Sequence, residues 1–269
     1  AVDSRTVISG FGFIGGQGPS YGSIIIKLKD WEERSMMQNS DIVVGTLFMR
    51  AQKIIKDAQV LFFAPPMIPG YSASSDIELN MQDKTGGDLN HFYDVVLDYM
   101  DALKARPEIN SAQTTFNPNF PQYMLDIDAA ACKKAGISPS DILTTMQGYF
   151  GGLYASNFNR FGKMYRVMIQ AEPEATKNLE SLNSIKIRNG NEMAPISQFV
   201  SIKKVYGPDV ISRFNLYTAI KVMVAPASGY TSGQALQAIA EVAKESLPTG
   251  YGYELGGMAR EEASTSGSS

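Results

Sequence analysis

Few residues in this sequence have the types and spacing to do chemistry. Gly10-Phe11-Gly12-Phe13-Ile14-Gly15 has the spacing of the dinucleotide fingerprint GxGxxG, and Asp30 lies 20 residues beyond Gly10. A pyrophosphate loop must open a helix whose N-terminus faces the phosphates. Here Gly16-Gln17-Gly18-Pro19-Ser20-Tyr21-Gly22 leads instead into Ile24-Ile25-Ile26, an apolar run that reads as a strand. Nucleotide binding is therefore not expected. Gly70-Tyr71-Ser72-Ala73-Ser74 loosely resembles a nucleophile elbow but lacks the closing glycine. Ser201-Ile202-Lys203-Lys204 has SxxK spacing on a segment that reads as a strand. The single histidine, His91, would have to serve any Ser-His-Asp arrangement, yet it falls off the helical stripe formed by Leu89, Phe92, Val96, Tyr99 and Leu103. The single cysteine, Cys132, excludes an internal disulfide and a Cys-based zinc site. Thirteen methionines are scattered, which suits gap filling better than soft-metal ligation.

No catalytic residue, metal ligand or cofactor is expected, and the chain does not read as an enzyme. What remains is a pair of phenylalanines flanked by glycines. An exposed Phe forgoes roughly 1.5–3 kcal/mol of burial, so such a loop lines or plugs a cleft, or is a hairpin that fills a core. The residues leave both open.

The elements that must position this pair follow from composition and periodicity. At 269 residues the chain holds one large domain or two ordinary ones, and 44% hydrophobic residues supply material for cores. With 24 Lys+Arg against 27 Asp+Glu the net charge is −3, and nucleic-acid binding is not expected of it. No apolar run reaches the ~18 residues needed to cross a bilayer. Asp3 and Arg5 stand where a signal peptide would need apolar residues.

Thr6–Ser9 and Ser23–Lys29 read as strands, Asp41–Asp57 as a helix, and Val60–Ala64 as a strand. Asp76–Met81 alternates as a strand, Asp88–Lys104 is an amphipathic helix, and Ile109–Thr115 and Gln122–Asp128 are further strands. A matching unit comes later: a long strand Ile211–Val224, a helix Thr231–Leu247 and a strand Tyr251–Leu255. Two separated strand-helix-strand halves predict an α+β fold with a ferredoxin-like split βαβ sheet, both helices on one face. Residues 129–206 are then an insert. Its helix starts at Ser138 as N-cap with Pro139 first and Asp141 in the first turn, and runs to Tyr149. Hairpins follow at Leu153–Phe158 with Lys163–Gln170, and at Asn189-Gly190. The residues from Ala263 onward read as a flexible tail.

With these motifs laid out, the chain resembles the resistance–nodulation–division (RND) multidrug efflux transporters of the AcrB/MexB type along essentially its whole length. Phe11–Gly18 followed by Leu28-Lys29-Asp30-Trp31 is similar to their switch-loop region. Further matches come in order: Ile55–Ala58, Pro121–Asp128, Ala135–Ile142, Gly151–Phe158, Met193–Ile196 and Leu247–Gly250. The resemblance implies the second periplasmic loop of such a transporter, a piece without a membrane helix of its own. Residues 1–70 correspond to a PC1 porter subdomain lacking its first strand and helix, a lack that would leave an unpaired sheet edge prone to self-association. Residues 71–128 and 207–258 correspond to PC2, 129–206 to the DC docking insert, and 259–269 to a linker toward a membrane helix.

The resemblance also implies roles. Gly10, Phe11, Gly12, Phe13, Ile14, Gly15 and Gly16 form the switch loop, looser for having Gly16 where a basic residue is common. Phe11, Phe13, Ile8, Ile25, Leu61, Phe63, Thr115 and Asn117 are the substrate-binding positions. Ile25 replaces a Phe of the best-known members, and a pocket arginine of theirs aligns near Thr115. Asn157, Phe158, Asn159, Arg160, Phe161, Gly162 and Lys163 form the docking tip. The expected partners are two further copies in a trimer, a periplasmic adaptor, an outer-membrane channel and lipophilic small molecules, on the periplasmic side of the Gram-negative inner membrane. Two other readings remain: a heavy-metal exporter of the same superfamily, against which the lack of a Met/carboxylate cluster speaks, and a free-standing ferredoxin-like ligand-binding module.

Overall fold

The computed structural model describes residues 2–65, 68, 74–176 and 179–266. The fold is α+β, and it separates into two compact units, one of residues 1–120 with 208–269, the other of residues 121–207. The 70/71 boundary expected from sequence, and the Gly70–Ala73 stretch of the elbow-like motif, lie outside the described residues.

The first unit opens with an antiparallel hairpin, β1 (Val2–Gly12) and β2 (Gly16–Leu28). Both strands run further than the apolar pattern indicates, because the glycine-rich stretch itself enters the ladder. Phe11 pairs with Gln17 and Gly12 with Gly16, so the expected loop shrinks to residues 13–15. Helix α1 (Ser40–Ile54) follows, with Val44, Leu47, Phe48 and Ala51 half-buried. Val60–Ala64 is not a strand. The run is apolar, but it joins no ladder; just ahead of it Gln59 Nε2 donates to the Thr114 carbonyl at 3.1 Å, and at its end the Ala64 carbonyl accepts from the Ser75 amide at 3.4 Å.

Next come β3 (Ile77–Asp83), α2 (Leu89–Lys104) and β4 (Ile109–Gln113). Asp88 caps α2 by accepting from the amides of Asn90 and His91 at 2.9 and 3.0 Å. The chain then passes into the second unit along β5 (Phe120–Ile127). There it forms α3 (Ala129–Ala135), α4 (Pro139–Met146) with a π turn over Gln147–Gly151, and the hairpin β6 (Leu153–Arg160) and β7 (Lys163–Ile169). A second hairpin, β8 (Lys186–Asn189) and β9 (Glu192–Pro195), precedes β10 (Val200–Gly207). The α4 start is a capping box: the Ser140 amide donates to Ser138 Oγ, and the Ser138 amide to Asp141 Oδ2. Cys132, Ile137, Ile142, Ile185, Ile187, Ile196 and Phe199 make this unit's core, with the lone thiol fully buried. β5, grouped with the first half on sequence, pairs with β10.

The return segment enters β11 (Ser212–Phe214) and β12 (Tyr217–Pro226), then α5 (Ser232–Ser246), β13 (Tyr251–Gly256) and α6 (Gly257–Ser266). The single strand expected over 211–224 is thus two. Asn215 and Leu216 both take left-handed φ, 49° and 72°, and make a two-residue turn between Phe214 and Tyr217. The tail expected from Ala263 is helical to Ser266, because Ala259 is buried in the core and Glu262 accepts from Ser232 Oγ.

The sheet runs β13–β3–β12, with β11 and β4 both on the outer side of β12, and every pairing is antiparallel. Leu79, Met81, Ile220, Val222 and Val224 pack against Phe92, Val96, Tyr99 and Leu103 of α2 and Ile239 of α5. Tyr99 crosses this core to donate to the Ile239 carbonyl at 3.0 Å. Burial, with the nearby Tyr253, pushes its phenol well above the ordinary range.

Asp83 ends β3 and shapes the turn into α2. Its carboxylate accepts from the Thr85 amide at 2.7 Å, the Thr85 hydroxyl at 2.6 Å and the Gly87 amide at 3.1 Å. Burial alone would raise its pKa, but these hydrogen bonds outweigh it and hold the group below the ordinary carboxylate range. A depressed carboxylate stabilises the fold above its unfolded pKa and loses that contribution as pH falls through the folded value. Asp83→Ala is expected to cost about 2 kcal/mol in urea unfolding at neutral pH. The gap from wild type should narrow as pH falls below the carboxylate range; a gap independent of pH would refute the assignment.

Candidate functional site

The antiparallel ladder carries Phe11 to the end of β1 and leaves Phe13 at the tip, 42% exposed. Their rings meet edge-on with centroids 5.2 Å apart. Phe63, on the irregular segment after α1, meets Phe13 edge-on at 6.4 Å. Edge-to-face pairs of this kind contribute about 0.5–1.5 kcal/mol beyond area burial. The cluster is half-buried and half open, the state expected of rings that line a surface rather than fill a core.

The other positions named from sequence are more dispersed. Ile8 pairs with Ser23 and Ile25 with Thr6, so all four share one face of the ribbon, with Ile8 half-buried and Ile25 exposed. Val7 and Ile24 share the opposite face and are exposed too. Leu61 is half-buried on the segment that also carries Phe63, which is not a strand. Thr115 is half-buried and Asn117 exposed on the connection from β4 to β5, where the Asn117 carboxamide accepts from the Asn119 amide at 2.9 Å. The bond from Gln59 to Thr114 ties that connection to the Phe63 segment. Gly10 and Gly16 have φ of 78° and 86°, and Ile14 and Gly15 complete the turn.

Two residues with a part in this geometry escape a reading by motif. The Tyr21 ring lies against the backbone of Gly12, Gly15 and Gly18, and the neighbouring Ser20 hydroxyl donates to the Asp209 carboxylate at 3.2 Å. Burial, then the charge and hydrogen bond of Asp209, raises the Tyr21 phenol pKa. The available signal was an aromatic following glycines spaced by three.

His91 is exposed, its ring edge-on to Tyr251 at 6.1 Å, and takes no part. Chemically, the three-ring cluster offers contact to apolar groups.

The second unit presents the β6–β7 hairpin. Arg160 pairs with Lys163, so Phe161 and Gly162 are the two turn residues, both with left-handed φ, 53° and 70°. This is the type I′ geometry that suits a twisted ribbon. Phe161 is 82% exposed under the Arg160 guanidinium, 4.8 Å from the ring centre. Phe158 and Tyr165 stack across the strands at 5.4 Å, and Asn157 pairs with Arg166 and Asn159 with Met164. The same unit holds a recess of about 430 Å³ lined by Asp126, Asp128, Gln198, Phe199, Val200 and Ser201. Its carboxylates are engaged, Asp126 with Lys203 at 3.4 Å and Asp128 with the amides that open α3.

The chain belongs to the AcrB/AcrD/AcrF family of RND efflux transporters, whose family model matches residues 1–269. It is 34% identical over 269 residues to the multidrug/solvent efflux pump membrane transporter MepB of Pseudomonas putida, covering 97% of this chain and 25% of that protein. To the toluene efflux pump membrane transporter TtgB of the same species it is 35% identical over 266 residues, again 97% of this chain and 25% of that protein. To the multidrug resistance protein MdtF of Escherichia coli it is 28% identical over 270 residues, 98% of this chain and 26% of that protein. The chain thus spans about a quarter of the length of these curated relatives. Among the described residues no helix is long and apolar enough to cross a membrane.

An L-residue in left-handed backbone is strained by roughly 1–2 kcal/mol, and Phe161 has no side-chain group to offset it. Phe161→Asn, which makes the favoured Asn-Gly turn, is expected to stabilise the second unit by about 1 kcal/mol. An unchanged or lower urea midpoint would argue against the strained turn.

Proposed function

We propose that this chain is the periplasmic substrate-binding and docking portion of a proton-driven RND multidrug efflux transporter. The observation that carries the reading is the Phe11–Phe13–Phe63 cluster on a glycine-bounded ribbon, in a chain of this family. Half-open rings gain from covering apolar surface of varied shape and need few fixed polar groups, which suits binding without bond-making rather than an enzyme's chemistry. Names of relatives that specify solvent, toluene or multidrug export support lipophilic and amphiphilic ligands. Ile8, Ile25, Leu61, Thr115 and Asn117 would extend the binding surface, and the Gly10–Gly16 turn would gate it.

On this reading residues 1–70 are PC1-like, 71–128 with 207–258 PC2-like, and 129–206 DC-like. Antiparallel order β13–β3–β12–β4, with α2 and α5 in one core, supports a ferredoxin-like split βαβ arrangement for the PC2-like part. The residues around Phe158 and Phe161 would meet a periplasmic adaptor, an outer-membrane channel or a neighbouring copy in a trimer, since exposed aromatics on a polar tip are enriched at interfaces. The setting is the periplasmic side of the Gram-negative inner membrane.

Phe13→Ala in the full-length transporter should remove one aromatic contact to a bound bulky ligand, about 1 kcal/mol or roughly fivefold in affinity. Susceptibility of a host strain to bulky lipophilic drugs should rise, while expression and response to small substrates hold. Unchanged susceptibility across the drug panel would sink the pocket assignment.

A further inference from the structure

Two stretches of the first unit carry candidate binding positions outside any strand, and one side chain joins them. Leu61 and Phe63 lie on the irregular segment after α1, Thr115 and Asn117 on the connection from β4 to β5. Gln59, exposed at the head of the first stretch, donates from Nε2 to the Thr114 carbonyl on the second at 3.1 Å. Gln59 falls in none of the motifs read from the sequence, and the gating reading does not use it.

The two ends of this bond differ in firmness. Thr114 is buried, and its hydroxyl donates to the Lys221 carbonyl of β12 at 2.7 Å while accepting from the Phe116 amide at 3.2 Å. Phe116 in turn packs beside Tyr93 of α2, their ring centroids 5.7 Å apart. The acceptor is thus built into the sheet and its helix layer. The donor is a flexible side chain on an exposed residue, so it is the part that yields. At the far end of its segment the Ala64 carbonyl accepts from the Ser75 amide at 3.4 Å, which fixes the end next to Phe63 separately. Release of Gln59 therefore frees the head of the segment and leaves Phe63 beside Phe13.

We propose that Gln59 is a clasp between these two stretches, closed in the empty protein and released when a lipophilic ligand seats between them. Nε2 and the carbonyl oxygen are 3.1 Å apart. A carbon skeleton needs about 3.5–4 Å to each wall, so roughly 7 Å between the two. A ligand lodged at this point must displace Gln59, and the bond is made only in the closed form. It therefore counts against binding, and removing its donor strengthens binding. Gln59 is a positioning residue: it acts through where it holds Leu61 relative to Thr115. The consequence for ligands rests on the pocket reading above; the clasp itself rests on the hydrogen bond and the anchorage of Thr114.

Two measurements on the full-length transporter test these parts separately. Gln59→Met and Gln59→Glu keep the length of the side chain without its N–H, whereas Gln59→Lys keeps a donor. Val60, half-buried beside Gln59, is replaced in each background by Val60→Cys, and its alkylation by N-ethylmaleimide is read at that residue by peptide mass spectrometry. Labelling should speed about fivefold in the Met and Glu variants, the net value of one neutral hydrogen bond, and stay within about twofold in the Lys variant. Without the cysteine, affinity for the dye rhodamine 6G, followed by fluorescence polarisation, should rise about fivefold in the same two variants and hold in the third. Unchanged labelling in the Met and Glu variants overturns the clasp whatever the dye does. Faster labelling with unchanged or weaker dye binding overturns its part in ligand entry. Failure of the pocket reading shows differently: Phe13→Ala would then leave dye affinity unaltered, while the labelling rates still decide the clasp.

Discussion

The first unit depends on the burial of β3. It is laddered on both edges, by β12 and β13, and Leu79 and Met81 have no exposure beneath α2 and α5. Both of its neighbours follow the whole second unit in sequence, so the chain must leave, complete a separate core and return before the sheet can close. Such long closures slow folding more than they weaken the product, since closure entropy grows only with the logarithm of length. The other face of β3 is polar: Glu78 meets Lys221 at 3.0 Å and Gln82 donates to Glu254 at 3.2 Å. There Asn80 Nδ2 and Gln82 Oε1 are buried and without a partner among the described residues, an unfavourable contribution that the apolar face must offset.

The β1–β2 ribbon contrasts with this. It has one ladder, apolar side chains exposed on both faces, and a half-open ring, Phe13, in its turn. Two-stranded ribbons are marginal in water unless something else holds them. Here the rest comes from side chains: the aromatic contact to Phe63 and the seating of Tyr21 beside Asp209. A stiff sheet with a lightly tethered aromatic ribbon is a sensible division for binding molecules of varied shape, because the adaptable part is not the part that keeps the unit folded.

Much of the frame was legible in advance. α2 and α5 could be read from three-and-four spacing, β3 from alternation, and the start of α4 from Ser138 and Pro139, because each signal is local and each local preference agrees with the final packing. The misreadings share another cause. Val60–Ala64 has a strand's composition, but a strand exists only where a neighbour offers backbone groups. Asn215-Leu216 breaks a run of apolar residues because the ladder folds back there, and Leu216 gave no warning of left-handed backbone. The glycine-rich stretch looked like a loop, since a ladder between Gly12 and Gly16 leaves no hydrophobic period to read.

For the candidate site the division is similar. By itself the sequence determined which side chains were available: two phenylalanines among glycines, one histidine and one cysteine, and too few polar groups in register for known catalytic patterns. It also determined the family, since ordered motifs along the whole chain survive without any knowledge of contacts. Only the tertiary structure decided that the phenylalanines share a cluster with Phe63, and that Tyr21 lies over the glycines beside Asp209. Ser20 and its hydrogen-bond partner Asp209 are 189 residues apart. Periodicity reports how a segment faces its own core; it carries no information about which distant segment the closing of a sheet will bring alongside.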